Sequence, residues 1–343
     1  MNNFWEKLEK PIFALAPMAN VTDAAYRRVI AKYGKPDVMW TEFVSADGLA
    51  LAGTEGKRKL MLDLKYTEAE RPIVAQFFTS SPEHMRAAAA LAAELDFDGI
   101  DINMGCPDKS VEKQGAGANL MKNPEQARAL IRAAKEGAPN LPVSVKTRIG
   151  YSRPDLENWL PEILKEEPAA VIIHARTRKE MSKVPARWEF VKEAVDIRNR
   201  AGSATLILGN GDVADLNEAR IRVAETGCDG VMFGRAIFGN PWLFAEKGQT
   251  LSTDSQGLTL GSENIKEKLK VLIEHCQLFE ELLGQDKNFA IMKKHFKAYV
   301  NGFDARPTER SFGRGAAELR GKLMETNNAK EVEEVIRHFS LSL

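Results

Sequence analysis

Thr205–Ala214 reads TLILGNGDVA, an apolar run ending in a glycine-rich turn just ahead of a helical stretch. Two folds use such a junction. In a dinucleotide-binding sheet, Gly209-x-Gly211-x-x-Ala214 would be the phosphate fingerprint, with Asp229 downstream as the acidic partner. In a (β/α)8 barrel it would be the loop after the seventh strand, where backbone N–H groups and a helix N-terminus bind phosphate. Position in the chain decides between them. The fingerprint belongs to the first βαβ unit of its fold, and here six strand–helix units come before it. The barrel reading holds.

Outward from that turn, apolar runs recur at Ile12–Ala16, Val38–Thr41, Ile73–Phe77, Gly99–Ile102, Val143–Lys146 and Ala170–His174, and again at Gly230–Phe233. Continuous apolar runs bounded by turn residues suit parallel strands covered on both faces. Helical periods separate them, at Thr22–Lys32, Ser81–Glu94, Asn123–Lys135, Asp155–Lys165, Trp188–Arg200 and Ala214–Thr226. Ser81-Pro82 and Asn123-Pro124 each supply an N-cap followed by proline at the first helical position. The pattern predicts a (β/α)8 TIM barrel over residues 1–247, with a doubly wound sheet as the competing arrangement. Residues 248–262, GQTLSTDSQGLTLGS, read as a linker. Residues 263–343 show helical periods and no strand-like run, which predicts a smaller C-terminal helical domain.

Composition narrows the function classes. The 343 residues include 48 Lys and Arg against 48 Asp and Glu, with 44% hydrophobic and 8% aromatic residues. That is globular composition, which excludes collagen, coiled coil and disordered-tail classes. Zero net charge removes a bulk attraction to nucleic acid, but a local patch can persist inside it. Gln285–Lys322 is such a stretch, with nine Lys and Arg against four Asp and Glu. No apolar run approaches the roughly 20 residues of a membrane span, and MNNFWEKLEK lacks the order of a secretory signal. A cytoplasmic monomer without membrane partners is the expectation. Three widely spaced cysteines, Cys106, Cys228 and Cys276, argue against a disulfide framework. With no Cys-x-x-Cys and no histidine at metal spacing, no metal site is expected.

Barrel enzymes carry chemistry on the loops after their strands. The first strand ends in Pro17, Met18 and Ala19, small or flexible residues suited to backing a ligand. Gln76 is a polar residue inside an apolar strand and must find partners. The fourth strand runs into Asn103, Met104, Gly105, Cys106 and Pro107, with a glycine-rich loop behind it. Cys106 could serve as nucleophile or proton donor there, or be an inert thiol. Lys146 is a poor core residue and suits an anion or an electron-rich ring. The sixth strand brings His174, then Arg176 and Arg178. The last two strands end in Asn210-Gly211-Asp212 and Gly234-Arg235, the places where barrels hold phosphate. Together these offer a phosphate site, a lysine, a histidine and one thiol, which suits a phosphorylated flavin with a substrate beside Cys106.

APMANVTDAAYR, DINMGCP with GAGANLM behind it, VSVKTRIG, IIHARTR, GNGDV and FGRAIFGNPWLF occur in that order. Together they resemble the tRNA-dihydrouridine synthases, and MKKHFKAYVNGF extends the resemblance more weakly into the helical domain. The resemblance implies an FMN-dependent enzyme that reduces the C5–C6 bond of particular uridines in tRNA, with NADPH as reductant. It implies that Pro17, Met18 and Ala19 line the flavin, that Gln76 and Lys146 bond its ring, and that His174 lies against it. Asn210, Gly211, Asp212, Gly234 and Arg235 would hold the ribityl and phosphate groups, Cys106 would donate the proton, and Asn103 would orient the uracil. Arg148, Arg176 and Arg178 are the expected tRNA contacts on the barrel, and Lys293, Lys294, Lys297, Arg306, Arg310 and Arg314 those in the helical domain. The rival function is a flavin barrel acting on a free pyrimidine, of the dihydroorotate or dihydropyrimidine dehydrogenase kind, which would have no use for a basic helical domain.

Overall fold

The computed structural model describes residues 3–245, 262–301 and 312–340. The chain forms two compact units, one of Met1–Ala19 with Pro36–Arg235, the other of Asn20–Lys35 with Ala236–Leu343.

The first unit is built on parallel strands: β1 (Ile12–Leu15), β2 (Met39–Trp40), β3 (Val44–Ser45), β4 (Ile73–Phe78), β5 (Gly99–Asn103), β6 (Val143–Arg148), β7 (Ala170–His174), β8 (Leu206–Asn210) and β9 (Gly230–Phe233). Their order is β1-β9-β8-β7-β6-β5-β4-β2, with the short β3 pairing on β4. The ring closes where Ala14 bridges Val38, with Leu15 N–H donating to the Val38 carbonyl at 3.0 Å. This is the expected TIM barrel.

Most of its interior is apolar: Ile12, Ala14, Trp40, Ile172, Leu208 and Met232 pack together, and Phe4 and Trp5 join them from the N-terminal turn. Full burial of each large side chain contributes roughly 1.5–3 kcal/mol. The sector formed by β4, β5 and β6 is different. Register pairing aligns Gln76 with Asp101 and Asp101 with Ser144, and all three are buried. Asp229, the acid of the discarded dinucleotide reading, accepts from Ile207 N–H at 2.8 Å and pairs with Lys10 and Arg198 at 2.5 and 3.1 Å. It ties the starts of β8 and β9 together, a structural task.

The helices are α1 (Ala24–Tyr33), α2 (Ala46–Leu51), α3 (Thr54–Asp63), α4 (Pro82–Glu94), α5 (Lys109–Lys113), α6 (Pro124–Gly137), α7 (Leu156–Leu164), α8 (Glu189–Arg200), α9 (Leu216–Thr226), α10 (Ser262–Leu283), α11 (Lys293–Tyr299), α12 (Phe312–Glu325) and α13 (Ala329–Ser340). The two cap signals act as their chemistry requires: Ser81 Oγ accepts from His84 N–H and Asn123 Oδ1 from Gln126 N–H, each at 3.3 Å. The excursion of β3, α2 and α3 was not anticipated from the sequence.

The second unit gathers α1 with α10, α11, α12 and α13. Tyr26 of α1 stacks on His275 of α10 with ring centroids 4.7 Å apart and an interplanar angle of 14°. Lys32 Nζ and Tyr33 Oη both donate to Glu274, at 2.8 and 2.7 Å. These contacts are why the units depart from the expected break after residue 247: the stretch read as the barrel's first helix packs on α10, and residues from 236 belong with it. The expected linker, Ser262 excepted, lies outside the described residues, as do Arg306 and Arg310.

Candidate active site

Cys106 lies just beyond β5, where the strand ends in Asn103 and turns through Gly105. The turn is held from inside. Asn103 Oδ1 accepts from Gly105 N–H at 3.1 Å and from Cys106 N–H at 2.9 Å. Arg148, at the end of β6, donates to the carbonyls of Gly105, Thr177 and Met181 at 2.8, 3.1 and 3.0 Å. Behind the turn, Ala118 N–H donates to the Cys106 carbonyl at 3.0 Å, and Gly117 sits at φ +60°. A Cβ there would lie 2.8 Å from that same carbonyl oxygen, so glycine is needed for the loop to close on Cys106. Cys106 is half-buried, whereas Cys228 and Cys276 are buried. Burial pushes the Cys106 thiol above its ordinary value, with the Asp108 charge adding to the effect.

Beneath the turn lies a line of buried polar groups. Gln76 Nε2 donates to Asp101 Oδ2 at 2.6 Å, and Asn103 Nδ2 donates to Gln76 Oε1 at 3.0 Å. Ser144 Oγ donates to Asp101 Oδ1 at 2.5 Å. Burial raises the Asp101 carboxyl to about 6, against the pull of Ser144, Gln76 and the Lys146 ammonium. Sequence reasoning passed over Asp101 and Ser144 as site residues. The available signal was an acid in the middle of the apolar strand GIDIN.

Lys146 donates to Asn210 Oδ1 at 3.2 Å, and Asn210 in turn donates to the Met232 carbonyl at 2.8 Å. Burial, aided by the neighbouring Arg148 charge, lowers the Lys146 ammonium to about 8. His174, at the end of β7, is stripped of its proton by burial and by the cations Arg148, Lys146, Arg176 and Arg235 around it. Its Nε2 lies 3.2 Å from Arg176 Nη1. An arginine can only donate, so the histidine proton sits on Nδ1.

The loop after β8 is organised by Asp212, which adopts φ +49° next to Gly211 at φ +129°. Asp212 accepts from Ala186 N–H at 2.9 Å, pairs with Arg176, and meets Arg235 at 2.5 Å. Burial would raise its carboxyl, but these hydrogen bonds and charges outweigh that and hold it below the usual range. Trp188 Nε1 donates to the Gly211 carbonyl at 2.9 Å, with its ring under Gly209, where a Cβ would come within 2.2 Å.

The structure thus brings Gln76, Asn103, Cys106, Lys146, His174, Asn210, Gly211, Asp212 and Arg235 to the same end of one barrel, each in the C-terminal half of its strand or just beyond it. Pro17 and Met18 are half-buried and Ala19 exposed beyond β1. Gly234 lies near Met18, whose Sδ would be 3.8 Å from an added Cβ. The barrel arginines divide. Arg148 and Arg176 are buried, and the bonds of both run inward to carbonyls, Asp212 and His174. Arg178 is half-buried, pairs with Glu112 and lies 5.3 Å over the Tyr151 ring, where Lys122 also sits at 3.8 Å. In the second unit, Lys294 and Lys297 are exposed and Lys293 is half-buried. Arg314 falls within α12. Among the described residues, no helix is long and apolar enough to cross a membrane, and no group of three His, Cys, Asp or Glu could hold a metal.

Comparison with known proteins bears on this geometry. A solved complex of 2-naphthoyl-CoA reductase superposes with a TM-score of 0.52 over 70% of this chain and 52% of that one. At 13% identity, that likeness speaks to the fold alone. A "Probable tRNA-dihydrouridine synthase 2" of Bacillus subtilis (strain 168) is 39% identical over 340 residues, 98% of this chain and 96% of that protein. A "Probable tRNA-dihydrouridine synthase" of Staphylococcus aureus (strain MRSA252) is 36% identical over 343 residues, 99% of this chain and 97% of that one. The family model described as "Dihydrouridine synthase (Dus)" matches residues 14–340, a span that runs from within β1 through the other barrel strands to the end of α13. The chain belongs to the dihydrouridine synthase family of enzymes.

Proposed function

We propose that this chain reduces the C5–C6 double bond of uridines in tRNA, with FMN as resident cofactor and NADPH as reductant. The observation that carries the reading is the placement of one half-buried thiol, Cys106, at the same barrel mouth as Lys146 and the Asp212–Arg235 pair.

The mouth fits a flavin mononucleotide on three counts. Arg235 is tied to Asp212 yet keeps 65% of its side chain exposed, so its guanidinium is offered to a phosphate. Gly234 leaves space for close approach, since an added Cβ would meet nothing nearer than Met18 Sδ at 3.8 Å. Lys146 and the His174 Nδ1–H provide donors for the polar edge of a ring. Reduced FMN bound there would supply hydride to C6 of the uracil.

The protein's own residues do the rest. Cys106 holds a proton on Sγ at neutral pH and delivers it to C5. Asn103, fixed by Gln76 and the turn, orients the base beside the thiol. Lys146 keeps positive charge near the ring's polar edge, where preorganised charge lowers the barrier most. Arg148 and Arg176 shape the mouth from within. The target uridine has to leave its stack at a cost of a few kcal/mol. Phosphate contacts offset that cost, from Arg178 at the mouth and from Lys293, Lys294 and Lys297 in the second unit.

The purified protein should be yellow and release FMN on denaturation. Release of FAD in equal amount, or a colourless chain that takes up no FMN, would overturn the cofactor assignment.

A further inference from the structure

The polar line beneath Cys106 has a direction. At its inner end Asp101 has no exposure to solvent and receives Ser144 Oγ at 2.5 Å and Gln76 Nε2 at 2.6 Å. An ionised carboxylate can only accept, so Gln76 has to turn its NH2 group inward and its carbonyl oxygen outward. That oxygen can only accept, so Asn103 has to present Nδ2 to it, which it does at 3.0 Å. The Asn103 carbonyl oxygen is then left facing the N–H groups of Gly105 and Cys106, at 3.1 and 2.9 Å. Each link determines the next, and the turn's N–H donors demand the same orientation from the other end. A buried amide turned the wrong way would set NH2 against NH2 and leave groups unsatisfied on both sides.

We propose that Asp101 is a positioning residue, whose acceptor-only carboxylate sets the amide orientations of Gln76 and Asn103 and so holds the Cys106 turn in the form that presents the thiol. Its importance for catalysis rests on the proposed tRNA reduction, but its effect on the turn does not. Asp101 touches neither Cys106 nor the mouth in the bonds it makes, and acts through two intervening side chains. The same carboxylate also supports the Lys146 ammonium against the lowering effect of burial and Arg148. At neutral pH the ionised form prevails, because burial lifts the carboxyl only to about 6.

The test uses the full-length protein, with flavin content recorded, and measures the rate at which iodoacetamide alkylates Cys106, assigned by peptide mass mapping. Cys228 and Cys276 are buried and serve as internal references. Asp101→Leu removes the acceptor, and Gln76→Met breaks the line one link further out. Each should speed alkylation of Cys106 by about tenfold, the effect of losing one buried hydrogen bond. The double variant should show no more than the larger single effect, because both lie on one line. Asp101→Asn is the conservative rescue. Its Oδ1 can still accept from Gln76 while its Nδ2 donates to Ser144 Oγ, whose own proton can turn to the Ile100 carbonyl 3.3 Å away. That variant should alkylate within about twofold of the parent.

Parent-like rates for both Asp101→Leu and Gln76→Met overturn the proposal. So does an Asp101→Asn variant as fast as Asp101→Leu, since the acceptor would then not be what matters. If Asp101→Leu does not yield folded protein, Gln76→Met decides by the same criterion. Alkylation needs neither flavin nor tRNA. A protein whose variants accelerate but which makes no dihydrouridine sinks the proposed function and leaves the relay standing. A protein that makes dihydrouridine with unchanged alkylation does the reverse.

Discussion

Cys106 and Lys146 sit at one mouth but titrate in opposite directions. Burial raises the thiol above its ordinary value and lowers the ammonium to about 8. The thiol therefore stays protonated as pH rises through 8, while Lys146 loses its charge. If that charge assists reduction of the base, the rate of tRNA reduction falls on the alkaline side with a midpoint near 8, and Lys146→Met shows only a low rate without that limb. A parent profile flat from pH 7 to about 9 would remove Lys146 from the charge-stabilising role. Cys106→Ala should still pass electrons from NADPH to the flavin, yet reoxidise on tRNA about 10²–10⁴-fold more slowly. Stopped-flow measurement of the two half-reactions separates these effects, and reoxidation at the parent rate would make Cys106 structural.

At the scale of elements, the loop after β8 and the α10–α11 pair each carry a consequence. Gly211→Ala places a Cβ 2.9 Å from the Ala186 Cβ on a backbone at φ +129°, a conformation that costs an ordinary residue on the order of 1–3 kcal/mol. The variant should bind FMN about tenfold or more weakly, measured by fluorescence titration, while the barrel stays folded by circular dichroism. In the second unit, His275 and His295 are wholly buried, with ring centroids 4.7 Å apart. Neither His295 nitrogen finds a hydrogen-bond partner among the described residues. Burial pushes His295 down to about 3 and His275 well below its ordinary value, so both are neutral when folded. The unfolded chain binds their protons below about pH 6.5. Stability of this unit should therefore fall with acidification from about 6.5 towards the folded values, by about 1.4 kcal/mol per pH unit for each histidine. Urea titrations of the parent and of His295→Phe at a series of pH values check this. Equal pH dependence in the two would contradict it.

The elements also show what could be read in advance. Barrel strands were legible because parallel strands covered on both faces must be continuously apolar, and Ser81 and Asn123 announced their helices by cap chemistry. The partner of α1 was not legible: its amphipathic face suits a sheet or another helix equally, and the choice appears in contacts distant in sequence, the Tyr26–His275 stacking and the bonds of Lys32 and Tyr33 to Glu274. The partners of Arg176 were not legible for a related reason. An arginine on a strand-end loop looks like an RNA contact until packing shows it paired with Asp212 and donating to the Val184 carbonyl at 2.6 Å. Asp101 was visible as an acid in an apolar strand, but its partners come from β4 and β6, distant in sequence and adjacent in register.

For the whole molecule, neutrality overall leaves tRNA affinity to local charge. Lys294 and Lys297 are exposed with α11 buried behind them through His295, Phe296 and Tyr299. Neutralising Lys294 and Lys297 should weaken tRNA binding and reduce the salt slope by about one unit per charge, with FMN content unchanged. An unaltered slope would confine these lysines to solvation. The central claim, that this barrel reduces uridine in tRNA, is tested most directly on the product. Unmodified tRNA is incubated with the FMN-loaded protein and NADPH, digested, and analysed by mass spectrometry for uridine carrying an added pair of hydrogens. The account predicts dihydrouridine at defined positions with the parent protein, and its near-complete loss with Cys106→Ala. Flavin-loaded, NADPH-reducible protein that leaves every uridine unchanged would contradict it.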